Sequence, residues 1–313
     1  MALDDNYDPK TDPDNPLKYV ANQTYAGIAL AAFCICALTH TYLTIRKGGR
    51  FMMAMVIAEY TYAIGLAGRF VLHNNPTSRG AYIFQNILIT LSPCGFIAAE
   101  YVLLGRLVRW LNAGDHLLIR PTRVTLIFVL SDLTTFLVQA GGGGISASAG
   151  ENKSKVDLGS KIFFVGLVLQ LVSFIVFMLL AARWLFRVWK YEPATWTCDS
   201  HLPWYKDWRS LAGAIWISFV CILVRCIFRT VELSGGYRGH LTTTEYYFYL
   251  FDVIPIVIAL IQFIPFWPGR FIPKDPTEHH RYLPASVTSS SAEQVTLNDM
   301  ERARSKPAGK PFY

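Results

Sequence analysis

Residues 159–182 read GSKIFFVGLVLQLVSFIVFMLLAA, with Lys161 as the single charged side chain. A helix rises about 1.5 Å per residue, so a run of this length crosses a hydrocarbon core of roughly 30 Å. It is too long and too continuous for a barrel strand, which needs only ~10 alternating residues. The same character recurs at about 22–44, 51–72, 80–105, 122–144, 211–233 and 246–267. Lipid offers unpaired backbone groups no partner, so each stretch must close its own hydrogen bonds as a helix. The expected fold is an all-α membrane protein, a bundle of seven transmembrane helices.

The charge agrees. The chain has 313 residues, of which 52% are hydrophobic and 16% charged, against roughly 25% charged in a soluble domain. The net charge of +7 would suit a nucleic-acid partner if it lay on one soluble face. Here the basic residues sit at the ends of the apolar runs, which argues against that partner. The loops after the first, third and fifth runs and the C-terminal tail together hold 19 Lys and Arg, and the opposite side holds six. Cytosolic loops collect basic residues, so the N-terminus is expected outside and the C-terminus in the cytosol. This divides the chain into an outside segment 1–21, a membrane domain 22–267 and a cytosolic tail 268–313. The tail is Ser-rich and polar from 284 onward, and is expected to be disordered. Asp4, Asp5, Asp8, Asp12 and Asp14 replace the basic start of a signal peptide, so the first helix is expected to direct its own insertion. Asn22-Gln23-Thr24 and Asn152-Lys153-Ser154 are sequons on the outside, making Asn22 and Asn152 glycosylation candidates.

Charge at the centre of a bilayer costs at least about 2.5–3.5 kcal/mol per residue on insertion scales. This chain nevertheless keeps Glu59 and Arg69 in its second run, Gln85 and Glu100 in the third, and Asp132 and Gln139 in the fourth. It keeps Gln170 in the fifth, Arg225, Arg229 and Glu232 in the sixth, and Glu245 and Asp252 in the seventh. Arg225, Arg229 and Glu232 fall at i, i+4 and i+7, one helix face, and Glu245, Tyr249 and Asp252 repeat that spacing. Such stripes must face the bundle interior. By depth, Arg225, Arg229, Glu232, Glu245, Asp252, Arg69 and Gln139 belong to the outer half, and Glu59 and Glu100 to the inner half. A cluster of both signs suits a zwitterionic or amphiphilic head group. The competing reading is a set of structural ion pairs that only fix packing.

Gly141 to Gly144 close the fourth run. They read as a helix stop leading into a flexible loop and, without excluding it, as a close helix contact or hinge beside Gln139. Pro93 and Pro255 imply kinks. Of six cysteines, only Cys198 lies outside the runs, none lies in an outside loop, and their spacing suits no zinc site. No metal or cofactor is expected.

Six stretches resemble the fungal lipid-translocating exporter family, also called RTA-like. They are Glu59 through Gly65 to Arg69; Pro93 to Tyr101 with Gly105-Arg106; Asp132 with Gln139 and Gly141-Gly142-Gly143; Gly166-Leu167 with Gln170; Arg225, Arg229, Glu232 and Gly236; and Glu245, Tyr249 and Asp252. The likeness covers about residues 20–270. The family often has a small or apolar residue near Glu100, so that acid is a departure. The resemblance implies a seven-helix protein of a fungal plasma membrane, or alternatively an endomembrane. It also implies release of sphingoid long-chain bases, tolerance of amphiphilic toxicants and, in one branch, porphyrin uptake. It transfers no catalytic residue.

The function expected is ATP-independent translocation or export of amphiphilic lipids, and no Walker motif is present to use ATP. The partners would be membrane lipids or amphiphilic small molecules. Arg225, Arg229, Glu232, Glu245 and Asp252, with Asp132, Gln139, Glu59 and Arg69, would form the substrate path. The alternative is a seven-helix receptor or lipid sensor signalling to a cytosolic partner. Against it, Arg106-Leu107-Val108-Arg109 stands where an Asp/Glu-Arg-Tyr motif would end the third helix, and the seventh run has no Asn-Pro-x-x-Tyr. A membrane hydrolase needs converging histidines, and most of these lie in loops or the tail. No enzymatic activity is expected.

Overall fold

The computed structural model describes residues 15, 17–114, 117, 121–148, 152–201, 203–234 and 241–272. The acidic start, Gly236, His116, His240 and the tail from 273, with His279 and His280, lie outside them. Helix α1 is Gln23–Lys47, α2 Met53–Asn74, α3 Arg79–Trp110, α4 Pro121–Ser148, α5 Lys153–Tyr191 and α7 Trp208–Ser234. These six are long and apolar enough to cross a membrane. Between α5 and α7 lie the short α6, Pro193–Trp196, and a 3-10 turn, Trp204–Lys206.

The last expected run, 246–267, is built differently. It comprises α8 (Glu245–Phe248), a π turn (Tyr249–Val253) and α9 (Ile254–Ile261) in direct succession. Pro255 has no N–H to offer the carbonyl four residues back. A π turn, which bonds five residues back, sits just before it and takes up the local misfit. Beyond Ile261 the chain turns, Phe263 N bonding Leu260 O and Ile264 N bonding Ile261 O. It ends in α10, Pro268–Phe271. The helical path is therefore shorter than the apolar run.

Local chemistry sets the other boundaries. Asn22 caps α1, its side chain accepting from Thr24 N and Tyr25 N. Asn152 caps α5 by accepting from Lys155 N. Both sequon asparagines thus serve as helix caps. Gly48 (φ 79°) and Gly49 (φ 94°) make the left-handed turn that returns the chain into α2. Helix α5 has 39 residues, about 58 Å of helix, so its ends extend beyond the hydrocarbon core.

The glycine run does not stop α4, which continues through Gly144 to Ser148. Instead, Gly142 sits against α5 so closely that a Cβ there would lie 2.5 Å from Phe163 N and 2.7 Å from Gly159 O. Gly166 fits against Gln139, where a Cβ would lie 2.6 Å from its Cγ. This is the close backbone approach of small residues at intramembrane interfaces. Gly65, Gly68 and Gly95 form a comparable seam between α2 and α3, against Ile89, Gln85 and Ala58.

Burial is inverted relative to a soluble protein. Ile28, Ile35, Leu38 and Ile45 of α1 and Leu126, Leu130, Leu133 and Leu137 of α4 are exposed, while Glu59, Arg69, Glu100, Asp132, Gln139, Arg225 and Asp252 are buried. The core between these layers is aromatic. Phe33 stacks on Tyr62, Phe177 meets Phe128 and Phe219 edge to face, and Tyr101 packs tilted against Phe128 and Phe177.

Candidate functional site

At the end of the bundle where α2 and α7 finish and α8 begins, the buried charges converge. Arg225 Nε donates to Asp252 Oδ1 at 2.7 Å, and its Nη2 donates to Ile89 O at 3.0 Å. Arg229 bonds Asp252 Oδ2 through Nη2 and Glu232 Oε2 through Nη1, the latter at 3.0 Å. The i, i+4, i+7 stripe of α7 is thereby locked to the π turn. Asp252 is fully buried and receives both guanidinium groups, the pairing a buried charge needs.

A second knot adjoins the first. Arg69 Nη1 donates to Glu245 Oε1 at 2.8 Å and to Tyr249 Oη at 3.0 Å, and its Nη2 donates to Tyr19 Oη at 2.8 Å. Glu245 also accepts from Asn22 N through both oxygens at 3.1 Å. Burial pushes the Tyr19 hydroxyl above its usual range although Arg69 pulls the other way, so it stays a neutral phenol. The Phe248 ring lies 4.0 Å from the Arg69 guanidinium carbon and 5.4 Å from that of Arg229, joining the knots through cation–π contact.

Among the described residues, several polar atoms here have no hydrogen-bond partner. They are Tyr62 Oη, Arg69 Nε, Gln85 Oε1 and Arg229 Nε. Buried groups of this kind are normally satisfied, so the arrangement has donor and acceptor capacity left for a polar visitor.

The remaining candidates are placed apart. Asp132 accepts from Tyr101 Oη at 2.9 Å. Gln139 donates to Gln170 Oε1 at 2.8 Å, and Gln170 in turn faces Cys94 Sγ at 3.3 Å. Glu59 pairs with His40 Nδ1 at 2.6 Å, both fully buried. Glu100 accepts from Ser218 Oγ. Both acids lie away from the knots along their helices: Ser218, the partner of Glu100, precedes Arg225 on α7 by seven residues, or about 10 Å, and Glu59 precedes Arg69 on α2 by ten, or about 15 Å.

The pairing of His40 with Glu59 is not legible in the sequence, because the two stand on different helices. The His40 ring stacks on Trp267 at 5.3 Å, and Trp267 Nε1 holds Gly48 O at 2.9 Å. Tyr19, Tyr62 and Phe248 carry no sequence signal beyond aromaticity.

The sequence model of the family described as RTA1 like protein matches residues 55–275. Protein RTM1 of Saccharomyces cerevisiae is 29% identical over 222 residues, covering 71% of this chain and 69% of its own. Protoporphyrin uptake protein 1 of the same yeast is 30% identical over 201 residues, covering 64% of this chain and 63% of its own. The sphingoid long-chain base transporter RSB1, from the same species, is 26% identical over 280 residues, covering 80% and 72%. No solved structure matches. The matched stretch runs from α2 through the last helix and holds both arginine knots except Tyr19 and Asn22, and the chain belongs to the RTA1-like family.

Proposed function

We propose that this chain crosses a fungal plasma membrane seven times, with its N-terminus outside, and moves single-chain amphiphiles such as sphingoid long-chain bases without ATP. The observation that carries the reading is the double arginine knot, an unusual concentration of buried charge in a bundle whose outside is apolar. Structural pairing alone does not require so many charges in lipid. A head group would travel past Arg69, Arg225, Arg229, Glu232, Glu245 and Asp252. Its alkyl chain would stay in the bilayer, and Asp132, Gln139 and Glu59 would continue the path toward the inner leaflet. The name of the long-chain base transporter relative supports the substrate class. The excess of basic residues after the first, third and fifth runs supports the orientation. The π turn supplies the seventh crossing with a place to yield, as π turns often do at functional sites.

The test in cells is release of a labelled long-chain base from yeast that produces the chain, compared with yeast that lacks it. Faster release, with the protein at the surface, is expected. Unchanged release, together with ligand-dependent recruitment of a cytosolic protein, would replace transport with sensing.

A further inference from the structure

At the Lys190 end of α5 lies a groove of about 410 Å³, lined by Ala182, Leu185, Phe186, Trp189, Trp196 and Trp216. The four α5 residues fall at i, i+3, i+4 and i+7, a single face. Trp216 of α7 and Trp196 of α6 form the other walls. The floor is apolar and its aromatic rings are of the kind that gather where lipid tails meet head groups. From Ala182 to Lys190 the face runs about 12 Å, a length that takes an alkyl chain lying along the helix.

Among the described residues, the basic side chains around it make no ion pair. Lys190 Nζ stands over the Phe186 ring at 5.9 Å, at the end of the groove. Arg183 and Arg187 flank it one position around the helix. Among the described residues none of the three has a carboxylate within ion-pair distance. This contrasts with the arginines inside the bundle, all of which are paired. The nearest acid along the chain, Glu192, accepts from Thr195 Oγ1.

We propose that this groove is a binding site for an anionic phospholipid. One acyl chain lies between the tryptophans and the phosphate is held by Lys190 and Arg187. The occupant follows from charge complementarity: an apolar trough ending in cations that no described carboxylate pairs is filled by a molecule with a tail and an anionic head. The site is separate from the arginine knots and does not depend on what the protein transports.

The test uses the full chain in phosphatidylcholine vesicles, with a small fraction of the lipid replaced by brominated phosphatidylserine or, in parallel, brominated phosphatidylcholine. Bromine quenches tryptophan at contact. The background variant Trp204→Phe removes an exposed indole outside the groove. Two cations near an anionic head are worth on the order of 30-fold in preference. The expected result is quenching that saturates at a roughly 30-fold lower fraction of the anionic lipid. Arg187→Gln with Lys190→Gln should abolish that difference; Lys190 is exposed and Arg187 half-buried, and a circular dichroism spectrum matching that of the unsubstituted chain shows that the fold is intact. Trp189→Phe should lower the quenched amplitude. Equal quenching by both lipids in the unsubstituted chain, as an ordinary lipid annulus gives, would overturn the proposal. So would a preference that survives the double substitution.

Discussion

Asp252 carries more of the account than any other residue, because two buried guanidinium groups end on it. Removing one member of a buried pair leaves an uncompensated charge, at a cost of about 3–5 kcal/mol. Asp252→Ala should therefore lower the unfolding temperature in detergent sharply, with Arg225→Ala close behind. Arg225→Met combined with Asp252→Leu removes both charges, should recover much of the stability and should still move lipid poorly. If the double variant transports normally at equal surface level, the cluster is packing and not path. The stripes behind this cluster were legible, since i, i+4, i+7 spacing fixes a face whatever the neighbours are. Their partners were legible only in part. Arg229 with Glu232 is local, and the structure makes that pair. His40 with Glu59 is not, because no spacing rule links residues on two different helices.

At the scale of elements, the glycine run and the last helix teach the same lesson. Four consecutive glycines weaken a helix in water, which is why Gly141 to Gly144 read as a stop as well as a close contact, and only the contact is found. In lipid the backbone has no other partner, and α5 packs directly on the glycines, so the helix continues. The four positions are not equal. Gly142→Ala would drive a Cβ into the Phe163 backbone, an overpacking cost of about 1–3 kcal/mol. At Gly141 nothing lies within 4 Å, so Gly141→Ala should be neutral, or stabilising by about 0.5–1 kcal/mol. Thermal unfolding of the two purified variants reads the difference, and equal behaviour would refute the seam. A perturbation at Pro255 was legible, but its form was not: a proline fixes where a helix is disturbed, not whether a π turn absorbs it.

For the whole molecule, membrane class and helical content followed from composition and run length, and inverted burial agrees with both. The number of crossings turns on the interrupted last helix. Seven crossings put the termini on opposite sides, so an N-terminal tag should be reachable by antibody on intact cells and a C-terminal tag only after permeabilisation. Both tags on one side would leave six. The most direct measurement is transbilayer movement of a fluorescent long-chain base in ATP-free liposomes containing the purified protein, against protein-free liposomes. Movement faster than in the protein-free vesicles is the expected result, with the Arg225→Met and Asp252→Leu double variant falling back toward them. A folded protein that leaves the rate unchanged would contradict translocation.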